Sequence, residues 1–382
     1  MQADALRLGL VAGEASGDLL GGLLLQGLKA RWPELQAAGM GGPAMAAQGF
    51  DAWWPHERLS VFGYVDALKR LPELLRIRRQ LGDRLLRERP AAFIGIDAPD
   101  FNFGLETRLR HAGIKTLHFV CPSIWAWRAE RVDKIRAAAD HVLCLFPFEP
   151  ALLQRHGIAA TFVGHPLADL IPLAVPRDAA RSRLGLAPDD TVVALLPGSR
   201  RSEILHLLPR LLAAAALMRA ERRDLRFILP AVPALRGLIE GLVAQAGASE
   251  LVSLLPGQSH EALVACDLTL VASGTAALEA ALFKRPMVIT YHLAWLNWQR
   301  MKRQALQPWF GLPNILCGEF VVPELIQHAA TPAALAREGL AWLDDMPRVA
   351  ALQQRFHQLH LALRQNTAQK AADALAQVIH AA

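Results

Sequence analysis

The chain has 382 residues, 53% of them hydrophobic and 20% charged. That length exceeds what one core usually supports, so two domains are expected, and the composition excludes a disordered chain too polar to bury its apolar groups. The formal net charge of +6 suits acidic partners such as nucleotide phosphates, anionic head groups or nucleic acid, without choosing among them.

The start, Met1 to Leu10, carries Asp4 and Arg7 and runs straight into a strand-like segment. This is not the layout of a secretory signal, so no export is expected. The first strand, Arg7 to Ala12, ends in Gly13-Glu14-Ala15-Ser16-Gly17-Asp18, followed by an apolar helix from Leu19 to Leu28. Small residues at a strand-to-helix turn let backbone N–H groups approach a ligand, and the helix N-terminus adds partial positive charge. The turn suits an anion or a sugar, but it is not G-x-G-x-x-G and does not point to a dinucleotide. The structural alternative is a tight turn with Asp18 near the helix start. In Val61 to Arg79, the apolar residues Val65, Leu68, Leu71, Leu74 and Leu75 share a helical face edged by Lys69, Arg70, Arg76, Arg78 and Arg79. Such a stripe suits an anionic membrane surface, and equally an amphipathic helix packed on a core.

The next buried strand, Ala92 to Ile96, ends in Gly95-Ile96-Asp97-Ala98-Pro99-Asp100-Phe101-Asn102. A carboxylate just past the carboxyl end of a central parallel strand lies where ligands bind in open α/β sheets, and it can take the proton of an attacking sugar hydroxyl. Asp97 is the better base candidate, while either Asp97 or Asp100 would serve as a helix cap ahead of Pro99. Lys115 to Val120 leads into Cys121-Pro122-Ser123-Ile124-Trp125-Ala126-Trp127-Arg128, with Arg131 and Lys134 beyond. Two tryptophans beside a proline can wall a sugar or acyl pocket or be plain core. After His141 to Leu145, the segment Val163 to Pro188 holds Pro166, Pro172, Pro176 and Pro188, and the domain junction is expected there. His165 reads as a junction residue.

A fresh strand, Thr191 to Leu196, opens the second half and ends in Pro197-Gly198-Ser199-Arg200-Arg201-Ser202-Glu203. A glycine, a hydroxyl and two guanidinium groups at a helix N-terminus are a phosphate site in chemical terms. Without G-K-[ST] it is not a P-loop. Strand Arg226 to Leu229 follows, then the loop Leu255-Pro256-Gly257-Gln258. Leu268 to Val271 runs into Ala272-Ser273-Gly274-Thr275-Ala276-Ala277-Leu278-Glu279, where two hydroxyls flank a glycine and Glu279 suits a ribose diol. Two phosphate-suited turns in one βα domain point to a diphosphate ligand. After Met287 to Ile289, the stretch Trp295 to Phe310, with Trp298, Arg300, Lys302, Arg303 and Trp309, raises the membrane question again. The loops around Gln258 and Leu312-Pro313-Asn314 suit a uracil ring or simple loop filling. The tail from Thr331 is helical in pattern.

Apolar runs alternating with helical patterns form the βα rhythm of two doubly wound parallel sheets. The four cysteines, Cys121, Cys144, Cys266 and Cys317, show no C-x-x-C pair, and a reducing cytoplasm fits them. The 13 histidines are scattered, with no H-E-x-x-H and no D-x-D at a strand end, so neither a metal nor a cofactor is expected. No apolar run reaches the roughly 18 to 20 residues of a bilayer span, so any membrane contact is expected to be peripheral.

Five of these motifs, Gly13 to Asp18, Gly95 to Phe101, Pro122 to Trp127, Leu196 to Arg200 and Ala272 to Glu279, resemble in the same order those of the lipid-A-disaccharide synthase family. The resemblance covers nearly the whole chain. It implies a glycosyltransferase B-type α/β fold, with two Rossmann-like doubly wound domains facing a cleft. The expected division is 1–170 facing acceptor and membrane, 171–345 binding the UDP-sugar, and helices in 346–382 packing back toward the first domain. The implied reaction is an inverting, metal-independent transfer from UDP-2,3-diacylglucosamine to the 6-hydroxyl of 2,3-diacylglucosamine 1-phosphate. It makes a β-1,6 bond and releases UDP, on the cytoplasmic face of the inner membrane.

By that resemblance Asp97 is the base and Arg200 sits on the donor diphosphate. The UDP side would further include Gly198, Ser199, Gln258, Ser273, Gly274, Thr275, Glu279 and Asn314. Ser16, Gly17, Asp18, Trp125 and Arg128 would face the acceptor, and Val65, Leu68, Lys69, Arg70, Leu71, Leu75 and Arg76 the membrane. A homodimer is compatible with this reading. A nucleic-acid partner is not expected, since no recognition helix, zinc finger or RRM signature is present. The rivals are another UDP-sugar transferase, a UDP-N-acetylglucosamine 2-epimerase, and a non-catalytic basic phospholipid- or nucleic-acid-binding module.

Overall fold

A computed structural model describes residues 6–59, 64–126, 129–292, 298–299, 303–304 and 306–380 of the chain. They form two compact units, Met1–Leu170 with Ala362–Ala382, and Ile171–Leu361. The first holds strands β1 (Arg7–Ala12), β2 (Gln36–Gly41), β3 (Asp51–Pro55), β4 (Ala92–Ile96), β5 (Lys115–Phe119), β6 (His141–Cys144) and β7 (Ala160–Phe162). They make a seven-stranded sheet in the order β3-β2-β1-β4-β5-β6-β7, with every neighbouring pair parallel. Leu10, Val11, Phe93, Ile94 and Leu117 are fully buried, which is why these segments are continuous apolar runs.

The order reverses between β1 and β4. Connections leaving the carboxyl ends of those two neighbours run to opposite sides, and such a switch point is where open α/β sheets bind ligands. The helix Thr367–His380 completes this unit against the helix Ala15–Arg31. Gly27 permits the approach, since a Cβ there would lie 2.4 Å from the Ala368 Cβ, and Arg31 pairs with Asp373. Asp169 caps the incoming helix by accepting from Asn366 N at 2.9 Å and Thr367 N at 2.7 Å. The returning segment therefore starts later than 346, because the helix Met346–Leu363 stays with the second unit as far as Leu361.

The second unit holds β8 (Thr191–Leu196), β9 (Leu225–Ala231), β10 (Val252–Pro256), β11 (Leu268–Ala272), β12 (Met287–Tyr291) and β13 (Glu324–Ile326). Its parallel sheet has the order β10-β9-β8-β11-β12-β13, reversing between β8 and β11. At the opposite ends of these strands, the buried Arg181 pairs with Asp267 at 2.8 Å and donates to the carbonyls of Ala265, Ala187, Pro188 and Asp190. That network ties the start of β11 to the segment preceding β8.

The strands read from sequence are β1, β4, β5, β6, β8, β9, β11 and β12: β1, β4 and β8 with the same ends, the others with ends shifted by one or two residues. β3, β7, β10 and β13 are sheet edges with fewer fully buried positions, and β2 is a Gly/Ala stretch, QAAGMG, lacking the branched residues that mark a strand.

Candidate active site

In the first unit the turn after β1 and the turn after β4 meet at the switch point. Gly13 has no side chain because a Cβ there would lie 2.9 Å from the Ala98 Cβ, and Gly17 packs against Ala12 and the Ile96 carbonyl. Ser16 is exposed in the first turn of the helix Ala15–Arg31. Asp97 is half-buried and follows β4 directly, its N–H donating to the Phe119 carbonyl at 2.9 Å. Asp97 and Ala98 both adopt left-handed backbone, with φ of 49° and 44°.

Among the described residues nothing hydrogen-bonds or pairs with the Asp97 carboxylate. Asp100 differs: its carboxylate, though its side chain is 82% exposed, holds Arg131 through both oxygens at 2.8 and 2.9 Å. Geometry thus separates two aspartates that spacing leaves close together. It also places Arg131, one of the cations beyond the Trp125 motif, beside the helix start at Pro99.

Two of the expected acceptor contacts are used by the fold instead. The Asp18 carboxylate is buried and accepts from the N–H groups of Gly42, Ala44 and Met45 at 2.7, 2.8 and 3.1 Å, so it holds the start of the helix Pro43–Ala46. Trp125 is core. It packs edge-on against Phe146 and Phe148 and donates from Nε1 to Glu149 at 3.0 Å. Burial pushes the Glu149 carboxyl up to about 8. Arg128 lies outside the described residues.

In the second unit the turns after β8 and β11 likewise flank the switch point. Gly198 has φ 110°, and a Cβ there would lie 2.3 Å from the Glu203 Oε2, because Glu203 curls back under the turn. Its carboxylate accepts from Ser199 N at 3.1 Å and Arg200 N at 3.3 Å, and its other oxygen meets the exposed Arg200 guanidinium at 3.3 Å. Sequence reading missed this role for Glu203, although a carboxylate three residues after the cap is the capping-box signature. The turn is already holding an anion.

Across the switch point, Gly274 and Thr275 are exposed at the start of the helix Thr275–Leu282. The Ser273 hydroxyl donates to the Phe310 carbonyl at 3.0 Å. Glu279 meets His260 Nε2 at 3.1 Å, and this hydrogen bond raises the imidazole above its usual range. His260 was not foreseen. Gln258 is exposed, in left-handed backbone before the helix Ser259–Ala265.

Asn314 is the third reassigned residue. Fully buried, its amide nitrogen donates to Val322 O at 2.9 Å and Glu324 Oε1 at 2.8 Å, while its oxygen accepts from Val321 N and Val322 N. That fills the bonding capacity of a side-chain amide. Glu324 also accepts from Phe310 N and Gly311 N, so the pair shapes the loop that Ser273 ties to β11.

The helix Tyr64–Glu88 buries Ile77, Leu81 and Leu85 and leaves Leu71 and Leu75 at 46% and 45% exposure, with Arg76 exposed beside them. Leu71 and Leu75 are therefore not core. Arg70 is tied to the Arg58 carbonyl at 3.0 Å and to Glu73 at 3.5 Å. The side chains of Val65, Leu68 and Lys69 lie outside the described residues, as do residues 295–297, 300–302 and 305 of the stretch Trp295 to Phe310. Among the described residues no helix is long and apolar enough to cross a membrane.

A family profile described as lipid-A-disaccharide synthetase matches residues 8–379. The chain is 61% identical over 384 residues to the lipid-A-disaccharide synthase of Verminephrobacter eiseniae, covering 99% of this chain and 98% of that one. It is 59% identical over 379 residues to that of Albidiferax ferrireducens, covering 98% and 97%. Among solved structures, the UDP-GlcNAc 2-epimerase from Neisseria meningitidis bound to UDP-GlcNAc aligns with a TM-score of 0.64 at 12% identity, over 98% of this chain and 100% of that one.

Proposed function

This chain belongs to the lipid-A-disaccharide synthase family and is a glycosyltransferase of lipid A biosynthesis, and from that premise we propose that it transfers 2,3-diacylglucosamine from UDP-2,3-diacylglucosamine to the 6-hydroxyl of 2,3-diacylglucosamine 1-phosphate, with Asp97 as base. The fold alone is shared with epimerases and does not separate the two activities. Identity along the whole chain does.

The bond formed joins the donor anomeric carbon to the acceptor O6, and the bond broken joins that carbon to the diphosphate. The hydroxyl proton goes to the Asp97 carboxylate, and the electron pair leaves on UDP. A single displacement of this kind inverts the anomeric centre and needs a base, a stabilised leaving group and no protein nucleophile. The observation that carries the assignment of the base is the Asp97 carboxylate at the switch point, without a hydrogen-bond or ion-pair partner among the described residues, with Asp100 engaged by Arg131. On the donor side, the Ser199 and Arg200 N–H groups that now hold the Glu203 carboxylate are the donors a phosphate oxygen needs, with the Arg200 guanidinium at the rim. Gly274 and Thr275, at the other helix start, supply the second such turn.

Both substrates carry acyl chains whose burial in lipid is worth about 0.8 kcal/mol per methylene, so an enzyme free in bulk water would rarely meet them. The exposed Leu71 and Leu75, with Arg76 beside them, support docking on an anionic membrane surface.

The test is to incubate the purified protein with both substrates in detergent micelles containing EDTA. UDP and a tetraacyl disaccharide phosphate are the expected products. Folded protein that binds UDP but forms no disaccharide would refute the substrate assignment, and activity restored only by a divalent cation would refute the metal-independent reading.

A further inference from the structure

We propose that Asn102 is a positioning residue, whose buried amide holds the Asp97–Ala98 backbone in the conformation that aims the base. The inference rests on Asp97 being the base. Two consecutive non-glycine residues in left-handed backbone cost roughly 1–2 kcal/mol each, and such geometry persists only where the surroundings over-determine it. At Asp97 and Ala98 the surroundings are specific. The Asn102 Nδ2 donates to the Asp97 carbonyl at 2.8 Å, and the carbonyls of Ile96 and Val11 face the same nitrogen at 3.4 and 3.5 Å.

Val11 lies near the end of β1 and Ile96 ends β4, so one amide nitrogen gathers carbonyls from both strands of the switch point and from the first residue beyond it. Three carbonyl oxygens also fix which side of the amide faces them, since only its nitrogen donates. A carboxylate of the same shape would be repelled there.

The helix Pro99–His111 that carries Asn102 is itself anchored by polar contacts. Four residues on, and so on the same helical face, Glu106 meets His118 of β5 at 2.7 Å, and both are fully buried. Gly95 of β4 leaves the room for this: a Cβ there would lie 2.0 Å from Glu106 Oε1 and 3.0 Å from the Asn102 Cβ. A core that needed only to pack would do as well or better with apolar residues of similar volume. Among the described residues no hydrogen bond joins Glu106 to Asn102, so the Glu106–His118 pair fixes the helix while the Asn102 amide nitrogen alone holds the backbone of Asp97.

The experiment uses full-length protein in detergent micelles with both substrates. Asn102→Ala is expected to lower kcat at least tenfold, leaving donor KM and UDP affinity within twofold of wild type. Adding Ala98→Gly, which makes the left-handed conformation easy, should recover several-fold of the lost kcat, with no such gain on the wild-type background. Because Ala98→Gly also returns some stability, kcat is taken per UDP-binding site well below the melting transition, where a change in folded fraction does not enter it. The proposal is overturned by a kcat within twofold of wild type in folded Asn102→Ala, or by a double variant no faster than the single one. If Asn102→Ala does not fold, Asn102→Ser, which keeps one shorter donor, takes its place with the same two outcomes. Asp97→Asn separates this inference from the reading beneath it. An active Asp97→Asn ends both, whereas an inactive Asp97→Asn beside a fully active Asn102 variant ends only the positioning role.

Discussion

Replacing Asp18 with alanine removes the acceptor of three backbone N–H groups, those of Gly42, Ala44 and Met45. Because Asp18 is only 4% exposed, water cannot take its place without opening the turn. A hydrogen bond to a charged group contributes about 1.5–3 kcal/mol, but these three share one carboxylate and do not add independently. We therefore expect a loss of about 3–4 kcal/mol, above the ordinary cap value of about 1 kcal/mol. Asparagine offers one oxygen: placed at the Oδ1 position it keeps Gly42 and Met45 and turns an N–H₂ toward Ala44, so about half the loss is expected for Asp18→Asn. At about 2–4 °C per kcal/mol for a unit of this size, the alanine variant should melt roughly 6–16 °C lower. Thermal unfolding followed by circular dichroism measures this, with steady-state kinetics taken below the transition. An alanine variant that melts within about 3 °C of wild type but has a much raised acceptor KM would show Asp18 to be a ligand contact and refute the reassignment.

Asp97→Ala should lower turnover by about two orders of magnitude or more, as for removal of a general base, while calorimetric UDP binding is retained; Arg200→Ala should weaken UDP binding by about tenfold, the loss of one charge-assisted contact. Replacing both Leu71 and Leu75 with Asp should reduce co-flotation with anionic vesicles and leave the melting temperature within about 2 °C, because neither side chain is in the core; vesicle binding equal to wild type would remove this face from docking. Stability should also depend on pH through two buried groups moving in opposite senses. Burial lowers His165 from 6.5 to about 4, so its stabilising contribution is complete above pH 6.5 and is lost as pH falls toward 4. Burial raises Glu149 from 4.5 to about 8, so its contribution is complete below pH 4.5 and is lost as pH rises toward 8. Denaturant titrations across pH 4–8 should show Glu149→Gln flattening the upper part of the profile, and an unchanged slope there would count against the buried carboxyl as its source.

The interior strands can be read from the chain because each carries its burial in its own composition. Residues such as those of β4, AFIGI, and β8, TVVALL, are apolar along their length because both faces of a parallel sheet are covered. The small-residue turns at Gly13, Gly198 and Ser273 are legible for a similar local reason: close backbone approach requires glycine, and a helix start beside it favours anions. Both the two-sheet architecture and the turns suited to anions follow from such local signals. Edge strands are not legible in this way, since β13, ELI, is only half-buried.

What local pattern does not carry is the use to which each polar group is put. Asp18 and Asn314 stand in motifs that suit a ligand, yet the chain path brings the N–H groups of Gly42, Ala44 and Met45 to one, and Val321, Val322 and the Glu324 carboxylate to the other. Asp97 and Asp100 look alike until Arg131 arrives at one of them from 31 residues away. The β1–β4 and β8–β11 pairings, which put the four turns at two switch points, likewise join segments far apart in the chain. A segment's burial is written in its own residues. A hydrogen-bond partner is supplied by another part of the chain, so only the folded path reveals which side chains remain free for substrate.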